Sequence, residues 1–348
     1  MDQRWLRASA LLLFIPLLLT GGMFGQEKES TKPIDPPPAD ANLDNATPVG
    51  ADQEKNTDKQ EKTTGIELYF MTNNGHVAPY TLNLPASTGI AKEVLKFMVK
   101  EGPGVSMLPK GLNPILPKGT KVKALNISDG VATIDFSKEF LNYKDEEEED
   151  LLSAVTWTLT GFSTIKEVNI WVDGKPLAVM PKKKTPAQGL TRKDGINLEV
   201  AEGTDLTRSM PVTLYFMGQL PNNEIYYVPV TRMVNHSEQI GETVMKELIK
   251  GPQYESGLSA ALDNTLEVNK VQIQGKVVSA DLGEKLLQYG KNSASKDAVQ
   301  TIVLSLTENT DADKVQLTIN GKQNVAVEGE GAVSQPVTRP GFVNPNKS

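Results

Sequence analysis

The sequence has no cysteine and only two histidines, His76 and His236. Without thiols there is no disulfide framework, thiolate zinc site, iron–sulfur cluster or cysteine nucleophile. Two histidines 160 positions apart do not make a histidine-rich metal site, so neither a metal nor a cofactor is expected. A basic excess is also missing. The 36 Lys and Arg are outnumbered by 43 Asp and Glu, giving a formal net charge of −7. That is the wrong sign for a general nucleic-acid binder. After the N-terminus no apolar run is long enough to suggest a polytopic membrane protein. What the chain does have is 39% apolar residues over 348 positions, enough for cores in about two domains.

Arg4 and Arg7 precede an apolar block from Ala8 to Leu19, and small residues follow at Thr20, Gly21 and Gly22. That order is an export signal. The block itself is too short to cross a bilayer at ~1.5 Å per helical residue, but extended to Phe24 it reaches the length of an anchor. Residues 1–25 are therefore read as an export signal or membrane anchor. Leu19-Thr20-Gly21-Gly22 is similar to a bacterial lipoprotein box, with Gly22 where the lipid-accepting cysteine would stand. Glycine has no thiol to acylate. Residues 26–64 hold Pro33, Pro36, Pro37, Pro38 and Pro48, alternating charges and no aromatic. Too little apolar surface is present to offset chain entropy, which predicts a disordered linker.

Beyond the linker the chain repeats itself. Leu68-Tyr69-Phe70-Met71 returns as Leu214-Tyr215-Phe216-Met217, and Gly102-Pro103 as Gly251-Pro252. Val168, Ile170 and Val172 return as Val315, Leu317 and Ile319, a shift of 147. Thr191-Arg192 returns as Thr338-Arg339 at the same shift. The period is too long for a solenoid, so this is a tandem duplication of a globular unit. The boundaries are a first domain at 65–198, a connection at 199–211, a second domain at 212–344 and a tail at 345–348. Each copy reads as β-β-α-β-β-α-β: alternating strands around Asn-Gly and Asp-Gly turns, and two amphipathic helices. Ser87 or Thr88 is the expected cap of the first helix, and Ser237 its counterpart. The fold class is α+β: two tandem copies of a small sheet with two helices packed on one face.

Candidate sites are few. Asp145 to Asp150 is six consecutive acids. It reads as a water-facing first helical turn, with a calcium or partner site as the alternative. Asp135 and Asp281 are matched between the copies. They read as turn or helix-entry caps, and a glycan-cleaving acid is the alternative. His76 and His236 read as solvated loop residues. Lys182-Lys183-Lys184, then Arg192-Lys193, make a basic patch on an acidic protein. It reads as a loop or as a contact for an anionic polymer, lipid or acidic partner. Arg192 and Arg339 recur together, as arginines do that tie a tail to its own domain. No catalytic residue is assigned, because no nucleophile elbow, P-loop, His-Glu-x-x-His or Gly-x-Gly-x-x-Gly is present.

Several stretches carry a family resemblance. They are Phe140–Lys144, Ser153–Thr160 with Phe162-Ser163, Arg192–Glu199, and Tyr227–Thr231. With the duplication and the export signal, the chain resembles the GerMN-domain proteins of sporulation and spore germination. Gly22 is the departure, since members carry a lipobox cysteine. The resemblance implies tandem GerMN domains similar to the ring-building modules of secretion systems. It implies a non-enzymatic, membrane-associated protein in the space between mother-cell and forespore membranes. There it would support assembly of the channel complex, with protein components of that complex as partners. Peptidoglycan binding through the lysine run is the alternative.

Overall fold

The structure, a computed structural model, describes residues 63–86, 89–287 and 292–346. The export segment with Gly22, nearly all of the linker, and the Ser87 or Thr88 cap lie outside the described residues. Among the described residues no helix is long and apolar enough to cross a membrane.

In the first copy, β1 (Thr63–Thr72) and β2 (Val77–Pro85) form an antiparallel hairpin. The linker expectation needs a correction here. Thr63 and Thr64 are strand residues, because β2 is long enough to pair them with Pro85 and Leu84. The first helix, α1 (Ile90–Val94), runs into a 3-10 turn at Leu95–Met98. It is shorter than the apolar spacing predicts, because Val99 turns extended and bridges to Leu116. Next come β3 (Leu112–Asn113), beside β1, then β4 (Val122–Ser128) and β5 (Val131–Phe136). After α2 (Glu148–Leu159) follow β6 (Glu167–Val172) and β7 (Lys175–Pro176). The crossover through α2 is what lets β5 and β6 run parallel.

The connection holds β8 (Glu199–Val200). The second copy then runs β9 (Ser209–Gln219), β10 (Ile225–Asn235), α3 (Ile240–Lys250), β11 (Val268–Gln274) and β12 (Val277–Leu282). It continues with α4 (Lys296–Glu308), β13 (Lys314–Ile319), β14 (Val325–Val327), β15 (Gly331–Val333) and β16 (Val337–Thr338). Here too β12 and β13 are parallel across a helix. Ser237 does not cap α3 directly. Its hydroxyl accepts the Gln239 N–H at 3.1 Å, and Gln239 is the cap residue.

Each copy is thus α+β, and its strands divide between sheets: a hairpin sheet, and a second sheet built on the parallel pair. The long helix packs on the hairpin. Trp157 of α2 is fully buried and meets Tyr69 of β1 edge to face, with centroids 5.7 Å apart. A hydroxyl fastens each helix to its strand. Tyr69 N–H donates to Thr158 Oγ1 at 3.1 Å, and Tyr215 N–H donates to Ser305 Oγ at 3.0 Å. Both tyrosines lie opposite prolines, Pro79 and Pro229. The helix hydroxyl gives each of these buried strand N–H donors an acceptor.

Candidate functional site

The described residues belong to one compact unit, and the two copies meet along β2 and β10. Asn197 and Asn344 occupy equivalent positions, 147 residues apart. Val77 N–H donates to Asn197 Oδ1 at 2.8 Å, while Asn197 Nδ2 donates to the Val77 and Pro229 carbonyls at 2.7 Å each. Tyr227 N–H donates to Asn344 Oδ1, and Asn344 Nδ2 donates to the Pro79 and Tyr227 carbonyls, all at 2.8 Å. Each asparagine clasps a strand of its own copy and reaches a proline carbonyl of the other. The joint is therefore approximately two-fold, like an isologous dimer interface inside one chain.

The two recurring arginines complete it. Arg192 donates from Nε to Thr160 Oγ1 at 3.1 Å and lies over the Trp157 ring, 4.4 Å from its centroid. Arg339 does the same for α4, donating to Leu304 O at 2.8 Å and Thr307 Oγ1 at 2.7 Å. Cationic groups at helix C-termini offset the exposed carbonyl dipoles. Both arginines then converge on Glu308. Arg192 is 3.0 Å from Oε1, Arg339 is bonded to Oε2, and Tyr215 OH donates to Oε2 at 2.9 Å. Burial pushes the Glu308 carboxyl up, but Arg339 and Arg192 outweigh it and hold the group below its ordinary range. The first copy has Gly161 at the matching place. One carboxylate thus serves both arginines, which breaks the two-fold symmetry at this point.

The lysine run does not stand free. Lys182 Nζ lies 2.9 Å from Asp145 and Lys183 Nζ 3.7 Å from Glu149, while Lys184 Nζ donates to the Pro181 carbonyl at 2.9 Å. Between them Glu148 is fully buried. It accepts from Tyr143 OH at 2.7 Å, from the Lys182 and Lys183 N–H groups at 3.0 Å, and from Thr185 Oγ1 at 2.7 Å. Burial works against its charge, but these donors win and bring its pKa down to about 2. The reading of the acidic run as a water-facing turn is corrected for Glu148. The run and the lysines are mutual partners, at the opposite end of α2 from Arg192. Asp135 accepts the Gly174 N–H at 2.9 Å and Asp281 the Gly321 N–H at 2.7 Å, so both acids hold the turns that close their copies. His236 is an exposed loop residue. His76 is half-buried, and burial lowers its pKa.

A cleft of about 500 Å³ opens between the copies. Its walls are α2 of the first copy, the Gly75-His76 turn, the end of the first copy from Leu190 to Glu199, and the Gln253–Ser256 loop of the second copy. Gly195 lets the chain turn back there at φ +87, where a Cβ would sit 2.5 Å from the Leu198 side chain. The lining includes Glu146, Glu149, Asp150, Asp194 and Glu255. Burial, then Glu149, pushes the Asp150 carboxyl up to about 6, against a smaller pull from Lys183. Its folded pKa lies above the ordinary 3.8. The folded state therefore binds more protons in that window, and stability falls as pH rises from about 4 through about 6. Asp150→Asn is expected to raise the melting temperature at pH 7.5 and to leave it unchanged near pH 4. Thermal unfolding followed by circular dichroism at both pH values checks this.

A family model described as sporulation and spore germination (Germane) matches residues 67–178 and again 213–325. This chain belongs to the Germane family. It is 36% identical over 353 residues to the spore germination protein GerM of Bacillus subtilis (strain 168), covering 96% of each. The solved tandem GerMN domains of the sporulation protein GerM from Bacillus subtilis superpose with a TM-score of 0.77 at 37% identity. That match covers 81% of this chain and all of the other. The family model thus falls on both copies that the internal repeat delimits.

Of the sequence candidates, the structure brings Arg192 and Arg339 together and leaves Lys182–Lys184 elsewhere. Sequence reasoning missed Glu308 and the paired asparagines, and it placed Glu148 in a water-facing turn. The asparagines had a signal, since they fall on the same 147-residue offset as the arginines. Glu308 had none, because its counterpart is a glycine.

Proposed function

We propose that this Germane-family chain is a non-enzymatic, exported sporulation protein that supports assembly of the channel complex between mother cell and forespore. In this reading it stands in the space between the two membranes, held by its N-terminus. One observation carries it: three pairs of polar residues that recur between the copies are engaged in architecture. Asp135 and Asp281 hold turns, Arg192 and Arg339 cap helices, and Asn197 and Asn344 clasp the joint. A pair of copies fused rigidly suits presentation of faces to other proteins. Two of the three lysines in the run are paired, Lys182 with Asp145 and Lys183 with Glu149, which favours the assembly reading over the peptidoglycan alternative.

The test is complementation in an endospore-forming host lacking its own family member. The full chain is expected to restore heat-resistant spores, and a version without residues 1–25 to fail while remaining folded. Equal spore counts from the two versions would refute an extracytoplasmic role.

A further inference from the structure

Both copies display an apolar side chain on the loop after the first helix, at the same place. Val105 stands three residues beyond Gly102 and is 51% exposed; Tyr254 stands three beyond Gly251 and is 96% exposed. Only Tyr254 sits at the mouth of the cleft between the copies. Its loop is fixed at both ends. Gln253 Nε2 donates to the Val200 carbonyl at 3.0 Å, and Asn74 of the first copy reaches the Gly257 carbonyl at 3.4 Å. The tyrosine is thus held outward by a built loop. Leu198, 55% exposed, lines the same cleft, and Val200, 44% exposed, adjoins it. An exposed aromatic beside exposed aliphatics on a concave surface marks an interaction site.

The charge of the same surface selects the partner. Glu146, Asp150 and Glu255 line the cleft, and their side chains have no hydrogen bond or ion pair among the described residues. Asp194 and Glu199 are held by Thr191 and Arg232 and add field without being free. Among the described residues no lysine or arginine lines the cleft.

We propose that this groove docks a basic amphipathic peptide segment of a partner protein. An apolar side chain rests against Leu198 and Tyr254, and lysine or arginine heads meet Asp150, Glu146 and Glu255. The burial that disfavours the Asp150 charge in the free protein would be relieved by such a cation. The partner's biological setting rests on the assembly reading above. The binding experiment uses purified components, so its failure leaves the spore-count test standing.

The probe is a fluorescein-labelled peptide of alternating lysine and leucine, read by anisotropy against the full chain, with a glutamate-for-lysine peptide as control. The lysine peptide is expected to bind and the glutamate peptide not. Asp150→Asn with Glu255→Gln is expected to weaken binding about tenfold, as two partly screened ion pairs would. Tyr254→Ala should weaken it by a similar factor, and Asp311→Asn with Glu328→Gln, on other exposed surface, should not. Equal loss from both charge pairs would reduce the effect to net charge and overturn the proposal. So would full competition by spermine, a cation with no apolar side chains, or no effect of Tyr254→Ala.

Discussion

Glu308→Ala is expected to lower stability by about 3–5 kcal/mol, the usual cost of removing one partner from a buried ion cluster. Two guanidiniums, Arg192 and Arg339, would then share the joint with only the Glu67 carboxyl near them, and burial pushes that group toward its neutral form. Tyr215 OH would lose its acceptor as well. Urea unfolding at pH 7, followed by tryptophan fluorescence and by limited proteolysis, reads the effect. Cleavage in the connection between the copies should rise along with the loss of stability. A loss under about 1 kcal/mol would show that the asparagine clasps hold the joint unaided. The contribution has a pH signature. Glu308 titrates below its ordinary 4.5 in the fold. Its stabilisation is complete above that value and is lost as pH falls.

Glu148→Ala is the second large effect, on the order of 3 kcal/mol, because several buried donors lose a charged acceptor together. The Lys182, Lys183 and Thr185 amides all point at this carboxylate. Without it the loop has no reason to fold against α2, so protection of those amides from hydrogen exchange should fall first. Glu149→Ala, one residue along and exposed, is expected to change stability by less than about 0.5 kcal/mol. Equal effects of the two would show that the loop is held by Lys182 and Lys183 side-chain pairing instead. The Glu148 contribution is present above pH 4.5 and disappears as pH falls toward about 2.

The second copy solves the same structural problem differently. Ser295 stands where Glu148 does and caps α4, accepting the Ala298 N–H at 3.0 Å. A hydroxyl suffices there because no basic loop folds against that helix end. Lys296 of the helix pairs instead with Glu330 of the following loop, so the charges are exchanged between helix and loop. The duplication therefore preserved the contact and not the residues. A sequence comparison anchored on apolar positions aligns the helices but passes over this exchange.

The sheets defend their edges in a matched way too. β4 and β11 are edge strands, and each carries a register irregularity near its start, at Val122–Ala124 and Val268–Lys270. Each also places a lysine there, Lys123 and Lys270. Bulges and edge lysines oppose strand-to-strand pairing between molecules. Association through another face, such as the cleft between the copies, is not opposed in this way.

The duplication, the α+β class and the turns at Asn-Gly and Asp-Gly pairs were determined by the sequence alone. They rest on local properties: side-chain period along a strand or helix, and which residues tolerate a left-handed turn. Asp135 and Asp281 could also be read as turn residues, since each caps a turn within its own copy. The convergence of Arg192 and Arg339 on Glu308, the crossed asparagine clasps, and the meeting of the acidic run with the lysine run were decided only by the tertiary structure. These pairs are separated by up to 265 residues. No periodicity carries information across that span. Their partners are chosen by how two packed copies face one another, which depends on the shape of both cores at once.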